Sequence, residues 1–328
     1  MKRIILYIML VVSVLFGTTA CGEDKFGESI FDPTVSDLDP TSYTYPFDCW
    51  LRDNYLKEYN IDFRYKMQHV GTDMDYNLVP ATYEKAVDMA LLLKYLWIDA
   101  YNEVADEVFL KMYSPRIVHL IGSPAYNPVN GTMVLGLAEG GLKISLFRCN
   151  ELNSADISMM NEFYFKTMHH EFAHILHQKK TYPKEYNEIS ISHYEPFKWQ
   201  DRDVRIAASL GFVSPYGSSQ TQEDFVEIIA NYIVKTDADW NQILDWASKG
   251  WGPASESNAS IVEQPDQDGV DGKAVILQKL AICRTWLDEA WNLDLDKLRA
   301  IVQKRQDNID MDALREQLDQ YKLNSAEN

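Results

Sequence analysis

The chain contains little cysteine and fewer basic than acidic residues. Of its 328 residues only four are cysteines, and beyond Cys21 they stand far apart at Cys49, Cys149 and Cys283. Three scattered cysteines exclude a disulfide framework, and none has the spacing of a metal-ligand pair; one disulfide and buried free thiols both remain open. Asp and Glu outnumber Lys and Arg by 49 to 31, for a formal charge of −18. This charge excludes nucleic acid as the expected partner.

The apolar run at the start of the chain is short for a membrane span. Lys2 and Arg3 precede apolar residues 4–16, small residues 17–20 and then Cys21. This order is typical of a secretory signal, and a cysteine directly after Ala20 resembles a bacterial lipoprotein signal. We therefore expect residues 1–20 to be removed and the protein to be attached to the membrane by lipid at Cys21. Ordinary secretion and an uncleaved anchor are the alternatives.

The residues after the signal predict the cellular location of the protein and the start of its folded domain. Gly22-Glu23-Asp24 resembles the acidic tag of some lipoproteins on the outer face of the outer membrane, so we expect a cell-surface location. Residues 21–45 are rich in Asp, Ser, Thr and Pro and read as a tether. Residues 46–328 are enough for one large domain or two small ones. We expect one domain, with a helical C-terminal portion from about residue 250.

The strongest motif is an H-E-x-x-H pattern. His170 and His174 stand four residues apart, and Glu171 follows the first of them. On an α-helix such residues lie roughly 6 Å apart, so both imidazoles can bind one Zn²⁺. Glu171, near the same edge, can take a proton from a water that the metal activates. An ordinary surface helix is the alternative, but apolar neighbours such as Phe165 and Leu176 make unpaired His and Glu costly there.

Hydrophobic patterns around the motif predict an α+β fold. Helical patterns cover residues 47–59 and 82–112, the second broken near 99–101. Strands are predicted over 61–67 and 116–121 and in a hairpin, 132–138 with 142–147. After the motif we expect helices over 223–234 and 239–247, a loop over 249–272, and helices through Trp291, over 295–306 and over 311–321.

This order of elements is typical of a zincin-like metallopeptidase: a small mixed sheet, an active-site helix and a mostly helical C-terminal part. In that fold one edge strand borders the cleft and pairs with extended substrate. We expect the strand around 142–147 or its hairpin partner to be that strand. A wholly internal hairpin is the alternative.

The third metal ligand must come from outside the motif, and four candidates exist. His177 lies about 10 Å along the helix from His170 and is expected to support a ligand or to pack. His169 points about a quarter-turn away and is expected to be structural. His193 lies in a predicted loop, and no second potential ligand stands at a metal-binding spacing from it. The strongest candidate is the segment with Glu223 and Glu227, which lie one helical turn apart.

Glu223 is the favoured ligand of that segment, and its neighbours are in reserve. The alternative for Glu223 is a carboxylate that only stabilises the helix N-terminus through the helix dipole. Asp224 is equally suited to stabilise the helix N-terminus. Asp224 and Glu227 therefore remain the reserve ligands.

Resemblances to two known protein families support these assignments. Tyr216-Gly217 followed by Glu223, Phe225 and Glu227 is similar to the second active-site segment of the anthrax lethal factor group of gluzincins. That resemblance implies Glu223 as third Zn²⁺ ligand and Glu227 as support for a ligand histidine. It also implies a Tyr216 hydroxyl that faces the developing oxyanion; a plain turn residue is the alternative for Tyr216.

The second resemblance covers most of the chain, from about residue 46 to 305. It is to the zinc-metallopeptidase lipoproteins encoded beside TonB-dependent importers, described as substrate-import-associated zinc metallohydrolases. The matching segments are Leu78-Val79-Pro80, Ile121-Gly122-Ser123, Ala138-Glu139-Gly140-Gly141, residues 170–178 and residues 293–299. The resemblance implies a zinc metallopeptidase with a peptide or protein substrate, and a TonB-dependent importer and its surface lipoprotein as partners.

Two other functions stay open at this point. A surface binding lipoprotein with a structural or vestigial zinc site is the first, although a structural zinc is usually closed by four protein ligands and needs no base. A metallohydrolase acting on another bond, such as one in a glycoconjugate, is the second.

The lipid attachment is directly testable by replacing Cys21 with serine. Cys21→Ser removes the thiol that would be lipidated, so the protein should be released or its precursor retained in the inner membrane. Cell fractionation followed by immunoblotting measures this. Unchanged recovery of the variant in the outer membrane would show that residues 1–21 are not a lipoprotein signal.

Overall fold

The computed structural model describes residues 38–67, 78–126, 131, 133–134, 136–139, 142–255, 258–266 and 268–326. The predicted signal, Cys21 and the tether up to residue 37 lie outside these residues, as does the turn of the predicted hairpin at 140–141. One unit ends at Thr41, whose backbone N–H and hydroxyl both donate to Asp39. A second, compact unit comprises Ser42–Asn328 and contains every element described below.

Two helical segments precede the sheet, each with a π-helical turn in the middle. Helix α1 (Tyr45–Leu51) continues through Arg52–Leu56 into α2 (Lys57–Tyr59). Helix α3 (Tyr83–Leu93) continues through Lys94–Ile98 into α4 (Asp99–Asn102), and α5 follows at Phe109–Tyr113. The helix predicted over 47–59 is confirmed.

The predicted division of this region into two helices is confirmed, but the break lies at residues 103–108 rather than near 99–101. Residues 99–101 lie inside α4, where Ala100 and Tyr101 are buried in the core. The chain leaves the helix only after Asn102, at a stretch that is mostly exposed and in which only Val104 and Ala105 pack against the core. Burial of the apolar side chains decides where the helix ends.

The main sheet has four short strands. They are β1 (Asp62–Arg64), β2 (Ile117–Leu120), β5 (Gly136–Glu139) and β6 (Lys143–Leu146), and a separate pair is formed by β3 (Ala125–Tyr126) and β4 (Met133–Val134). The order is β1-β2-β6-β5, parallel except for β5, which runs antiparallel to β6. Val118 of β2 stands opposite Phe63 and Ile144, all three buried.

The predicted hairpin is confirmed, and its first strand is the outer one. β6 lies between β2 and β5, so β6 is interior and β5 is an edge strand of the described sheet, with β1 at the opposite edge. The strand predicted over 61–67 is shorter than expected, since only Asp62–Arg64 pairs with β2.

The rest of the described chain is mostly helical. Its helices are α6 (Ile157–Met160), which passes through a π-turn (Asn161–Phe165) into α7 (Lys166–Lys179), then α8 (Tyr186–Ile189), α9 (Val204–Ser209), α10 (Thr221–Val234), α11 (Asp237–Ala247), α12 (Gly272–Trp291), α13 (Leu295–Gln306), α14 (Met311–Glu316) and α15 (Asp319–Ala326). The helix predicted over 311–321 is therefore two helices. None of the described helices is long and apolar enough to cross a membrane.

The loop predicted over 249–272 contains a β-hairpin. Strand β7 (Gly250–Ser255) pairs antiparallel with β8 (Asn258–Gln264). Most side chains of both strands are exposed, so the sequence lacks the apolar alternation that reveals a half-buried strand. At the start of the next helix a Cβ on Gly272 would lie 2.3 Å from the Ser209 carbonyl oxygen, so only glycine allows α12 to pack this closely on α9.

The result is the predicted α+β fold, 58% helical with small sheets. Helix α7 packs against β5 and β6 and against α10. Helix α10 is buried from Glu223 to Val234, and its buried set includes three carboxylates as well as apolar residues. Those carboxylates need partners inside the protein.

One of the three is held by a fully buried ion pair. The Asp224 carboxylate of α10 lies 2.6 Å from Lys279 Nζ of α12, and both side chains are 0% exposed. Lys279 Nζ also donates to the Gly211 carbonyl at 2.8 Å, and the Tyr194 hydroxyl donates to Asp224 Oδ2 at 2.9 Å. Burial lowers the pKa of Lys279 and raises that of Asp224, while their mutual attraction opposes both shifts. The pair connects the C-terminal helices to α10.

Breaking this pair should destabilise the protein strongly. Lys279→Met leaves Asp224 buried without its cation, a change that typically costs about 3–5 kcal/mol. Urea denaturation, with zinc held at one fixed free concentration, measures the loss. Lys111→Met is the matched control, because Lys111 pairs with Glu58 on the exposed surface and should matter little. Equal stabilities for the two variants would contradict the structural role assigned to the pair.

Candidate metal centre

Helix α7 places the two histidines of the H-E-x-x-H pattern side by side. Met168, Phe172 and Leu176 are buried at helical spacing and fix the orientation of the helix. The rings of His170 and His174 then lie one turn apart, with centroids separated by 4.8 Å. Both side chains are largely buried.

Helix α10 brings Glu223 to the same point. A 3₁₀ turn at Tyr216–Ser218 leads into α10, and Glu223 lies in its first turn. Its Oε2 atom is 3.1 Å from His170 Nε2 and 3.2 Å from His174 Nε2. The three candidate ligand atoms lie within 4.8 Å of one another, and they form the metal-binding cluster found among the described residues.

The chemistry of these atoms fits a cation. His170 Nδ1 lies 2.8 Å from Glu227 Oε1, and because a carboxylate only accepts, the ring proton belongs on Nδ1. His170 Nε2 then presents a lone pair to Glu223 Oε2, which is also an acceptor. This contact requires a positive charge between the two atoms, either a second ring proton or a metal ion. Burial lowers the pKa of His170, but its hydrogen bonds with Glu223 and Glu227 outweigh burial and raise the pKa to about 10, so the pocket favours a positive charge at this point. A tetrahedral Zn²⁺ separates neighbouring N and O ligands by about 3.3 Å, close to the distances found.

Glu227 supports His170 and is not part of the ligand cluster. Besides His170 it accepts hydrogen bonds from Ser214 Oγ at 2.5 Å and from Asn231 Nδ2 at 3.1 Å, and Lys166 Nζ lies 4.0 Å away. Burial favours the neutral carboxyl, but the Lys166 charge and the His170 bond outweigh it and lower the pKa of Glu227. Asp224, the other reserve ligand, is held by Lys279 instead.

The supporting residues Ser214, Asn231 and Lys166 were not found from the sequence. Asn231 follows Glu227 by four residues, and Lys166 precedes His170 by four, so helical spacing alone could have drawn attention to both. Ser214 lies in a loop and carries no such signal.

Glu171 and Tyr216 flank the cluster. Burial raises the pKa of Glu171; the nearby histidines oppose this shift, and the charges of Glu223 and Glu227 add to it. The Tyr216 ring stacks on His170 with centroids 5.8 Å apart, and Trp199 packs edge-on against Tyr216. Burial and the Glu223 carboxylate raise the pKa of Tyr216, so its hydroxyl remains a proton donor. Tyr216 is 37% exposed, so the ring is accessible beside the metal ligands.

The other histidine candidates lie outside the cluster. His169 is buried with Nδ1 at 3.1 Å from the Tyr101 hydroxyl, which fits its expected structural role. His193 lies in a turn, where its carbonyl accepts from Arg202. His177 contacts the candidate ligand His174, with Nε2 at 2.8 Å from His174 Nδ1.

The cysteine question is also answered. Cys49, Cys149 and Cys283 are all free and buried. Burial raises the pKa of Cys149 to about 12, so this thiol stays protonated and unreactive.

Comparison with known proteins agrees with a zinc site. Residues 41–296 match the family described as "Putative zinc-binding metallo-peptidase". Among solved structures the chain is similar to a crystal structure from Bacteroides caccae described in the same words, with 35% sequence identity and a TM-score of 0.66. The match covers 87% of this chain and 99% of that one. No curated protein matches the chain.

Zinc content tests the cluster without reference to any activity. The purified protein should bind close to one zinc per chain, measured by elemental analysis after dialysis. Replacing His170 and His174 together by alanine should abolish binding, because only one of the three ligands then remains. His193→Ala, outside the cluster, is the control and should keep its zinc. Stoichiometric zinc in the double variant would place the metal elsewhere.

Proposed function

Since the chain belongs to the "Putative zinc-binding metallo-peptidase" family, we propose that it is a zinc metallopeptidase of the gluzincin type. His170, His174 and Glu223 are the proposed ligands, and Glu171 is the general base. The observation that carries the proposal is the convergence of three acceptor atoms beside Glu171. A protein that used zinc only for its structure would need no such base.

The protein's residues have distinct tasks in this reaction. His170, His174 and Glu223 would hold the zinc, which would supply Lewis-acid chemistry for polarising the scissile carbonyl and for acidifying water. The Glu171 carboxylate receives a proton from this water and delivers it to the nitrogen of the leaving amine. The Tyr216 hydroxyl donates a hydrogen bond to the charge that develops on the carbonyl oxygen. Its raised pKa keeps the hydrogen in place for this task.

The substrate is a peptide or protein in an extended conformation. β5 is one of the two edge strands of the main sheet, and it is the one against which α7 packs. An edge strand has backbone N–H and C=O groups free on one side, and these can pair with an added strand. A substrate bound along β5 would run beside the helix that bears the metal ligands.

The leader at the start of the chain and the resemblance to importer-linked lipoproteins support a proposed location and proposed partners for the protein. The protein is proposed to be an outer-membrane lipoprotein, held at the cell surface by lipid on Cys21. Its partners are proposed to be a TonB-dependent importer and the surface lipoprotein of that importer, so that hydrolysis supplies fragments for uptake. The basic-then-apolar leader that ends at Ala20-Cys21 and the resemblance to importer-linked lipoproteins support this placement.

Two carboxylate variants distinguish the base from the ligand. Glu171→Gln keeps the side chain's size but cannot accept the proton, so zinc should remain bound while hydrolysis falls by about 10²–10⁴-fold. Glu223→Gln removes an anionic ligand, so zinc affinity itself should fall and activity should follow metal occupancy. Zinc titration and digestion of a broad peptide library measure the two effects separately.

Glu162→Gln is the control for these variants, because Glu162 is exposed on the helical turn that leads into α7. It should change neither zinc binding nor hydrolysis. Unchanged hydrolysis in Glu171→Gln would refute the assigned base. Unchanged zinc affinity in Glu223→Gln would refute the assigned third ligand.

A further inference from the structure

We propose that His177 is a positioning residue that fixes the tautomer and ring orientation of the ligand His174. The inference rests on the proposed metal site and adds to it a residue outside the H-E-x-x-H pattern. His177 lies three residues after His174 on α7, so the two rings are neighbours on one helix face. Their centroids are 5.1 Å apart.

The two nitrogens of His174 face different partners. Nε2 is 3.2 Å from Glu223 Oε2, on the metal side, and Nδ1 is 2.8 Å from His177 Nε2, on the other side. A nitrogen that binds a metal offers a lone pair, so the ring proton of neutral His174 belongs on Nδ1. His174 Nδ1–H therefore donates, and His177 Nε2 must accept. His177 is then neutral and carries its own proton on Nδ1.

The His177 ring is held in place by aromatic neighbours from two elements. Tyr182, just after α7, packs edge-on at 5.6 Å, and Phe225 of α10 packs edge-on at 6.4 Å. Phe225 is fully buried and stands two residues after Glu223. Helix α10 therefore supplies one ligand directly and also packs against the residue that orients another.

The two ligand histidines have partners of different charge. His170 donates to the carboxylate of Glu227, whereas His174 meets an imidazole. Glu171, Glu223 and Glu227 already place three carboxyl groups around the cluster. A neutral acceptor at position 177 orients His174 without adding a fourth negative group, whose burial would be costly.

Zinc affinity tests this role without reference to hydrolysis. His177→Phe keeps an aromatic ring for packing but removes the acceptor, so zinc affinity should fall by about 10–100-fold, the usual effect of losing such a partner. His177→Gln keeps an acceptor oxygen near the position of Nε2 and should retain most of the affinity. His193→Phe, the same change in a loop outside the cluster, should leave affinity unchanged. Competition with a chromogenic chelator gives the dissociation constants.

The tautomer supplies a second measurement on the unmodified protein. Side-chain ¹⁵N NMR of the zinc-loaded chain should show His177 protonated on Nδ1 and bare on Nε2. A proton on His177 Nε2, or full zinc affinity in His177→Phe, would overturn the inference. If His177→Phe does not fold, His177→Gln and the NMR measurement decide it.

These outcomes are separable from failure of the proposed function. If zinc persists when His170 and His174 are both replaced, the metal site itself is wrong, and the inference falls with it. If zinc binds there but His177 carries its proton on Nε2, only the inference fails. If zinc and the tautomer are as expected but no peptide is cleaved, the inference stands and the peptidase activity is wrong.

Discussion

The rest of the site depends on one constraint: three carboxylates are buried on one helix, and each must be neutralised. Glu223, Asp224 and Glu227 all lie on α10, which is buried over most of its length. Adjacent positions on a helix point about 100° apart, so Asp224 faces a different side from Glu223 and Glu227, which lie one turn apart on the same side. Asp224 meets Lys279 of α12, while Glu223 and Glu227 meet the histidines of α7. The same requirement thus fixes the C-terminal helices on one side and the metal ligands on the other.

The helices of the site could be predicted because their patterns are local. The H-E-x-x-H spacing identified α7, and apolar periodicity identified α10 to within two residues of its start. The choice between Glu223 and Asp224 could not be made by periodicity, because neighbouring carboxylates on one helix differ only in which element they face. That is a property of tertiary packing. The resemblance to known active-site segments favoured Glu223, the residue that the structure brings to the two histidines.

Elsewhere the failures have the same origin. The burial of Lys279 has no signal in the sequence, because lysine is ordinarily exposed; it is completely buried here because Asp224 and the Gly211 carbonyl receive its charge. The β7–β8 hairpin is exposed and so lacks an apolar pattern. The helix after Leu93 continues through Tyr101 because aromatic side chains there enter the core. In each case contacts distant in sequence decide the local structure.

Because the candidate ligands are divided between two helices, a metal bound by them would be a cross-link in the chain. His174 and Glu223 are separated by 49 residues, and an ion held by both closes that loop. Neither helix alone completes the cluster, so tight binding must follow the docking of α7 on α10, a non-local step in folding. An ion that binds only the folded chain also stabilises it, by about 2.7 kcal/mol when its free concentration is 100 times the dissociation constant. In the proposal that zinc fills this cluster, the free energy of unfolding therefore rises with the free zinc concentration around the protein.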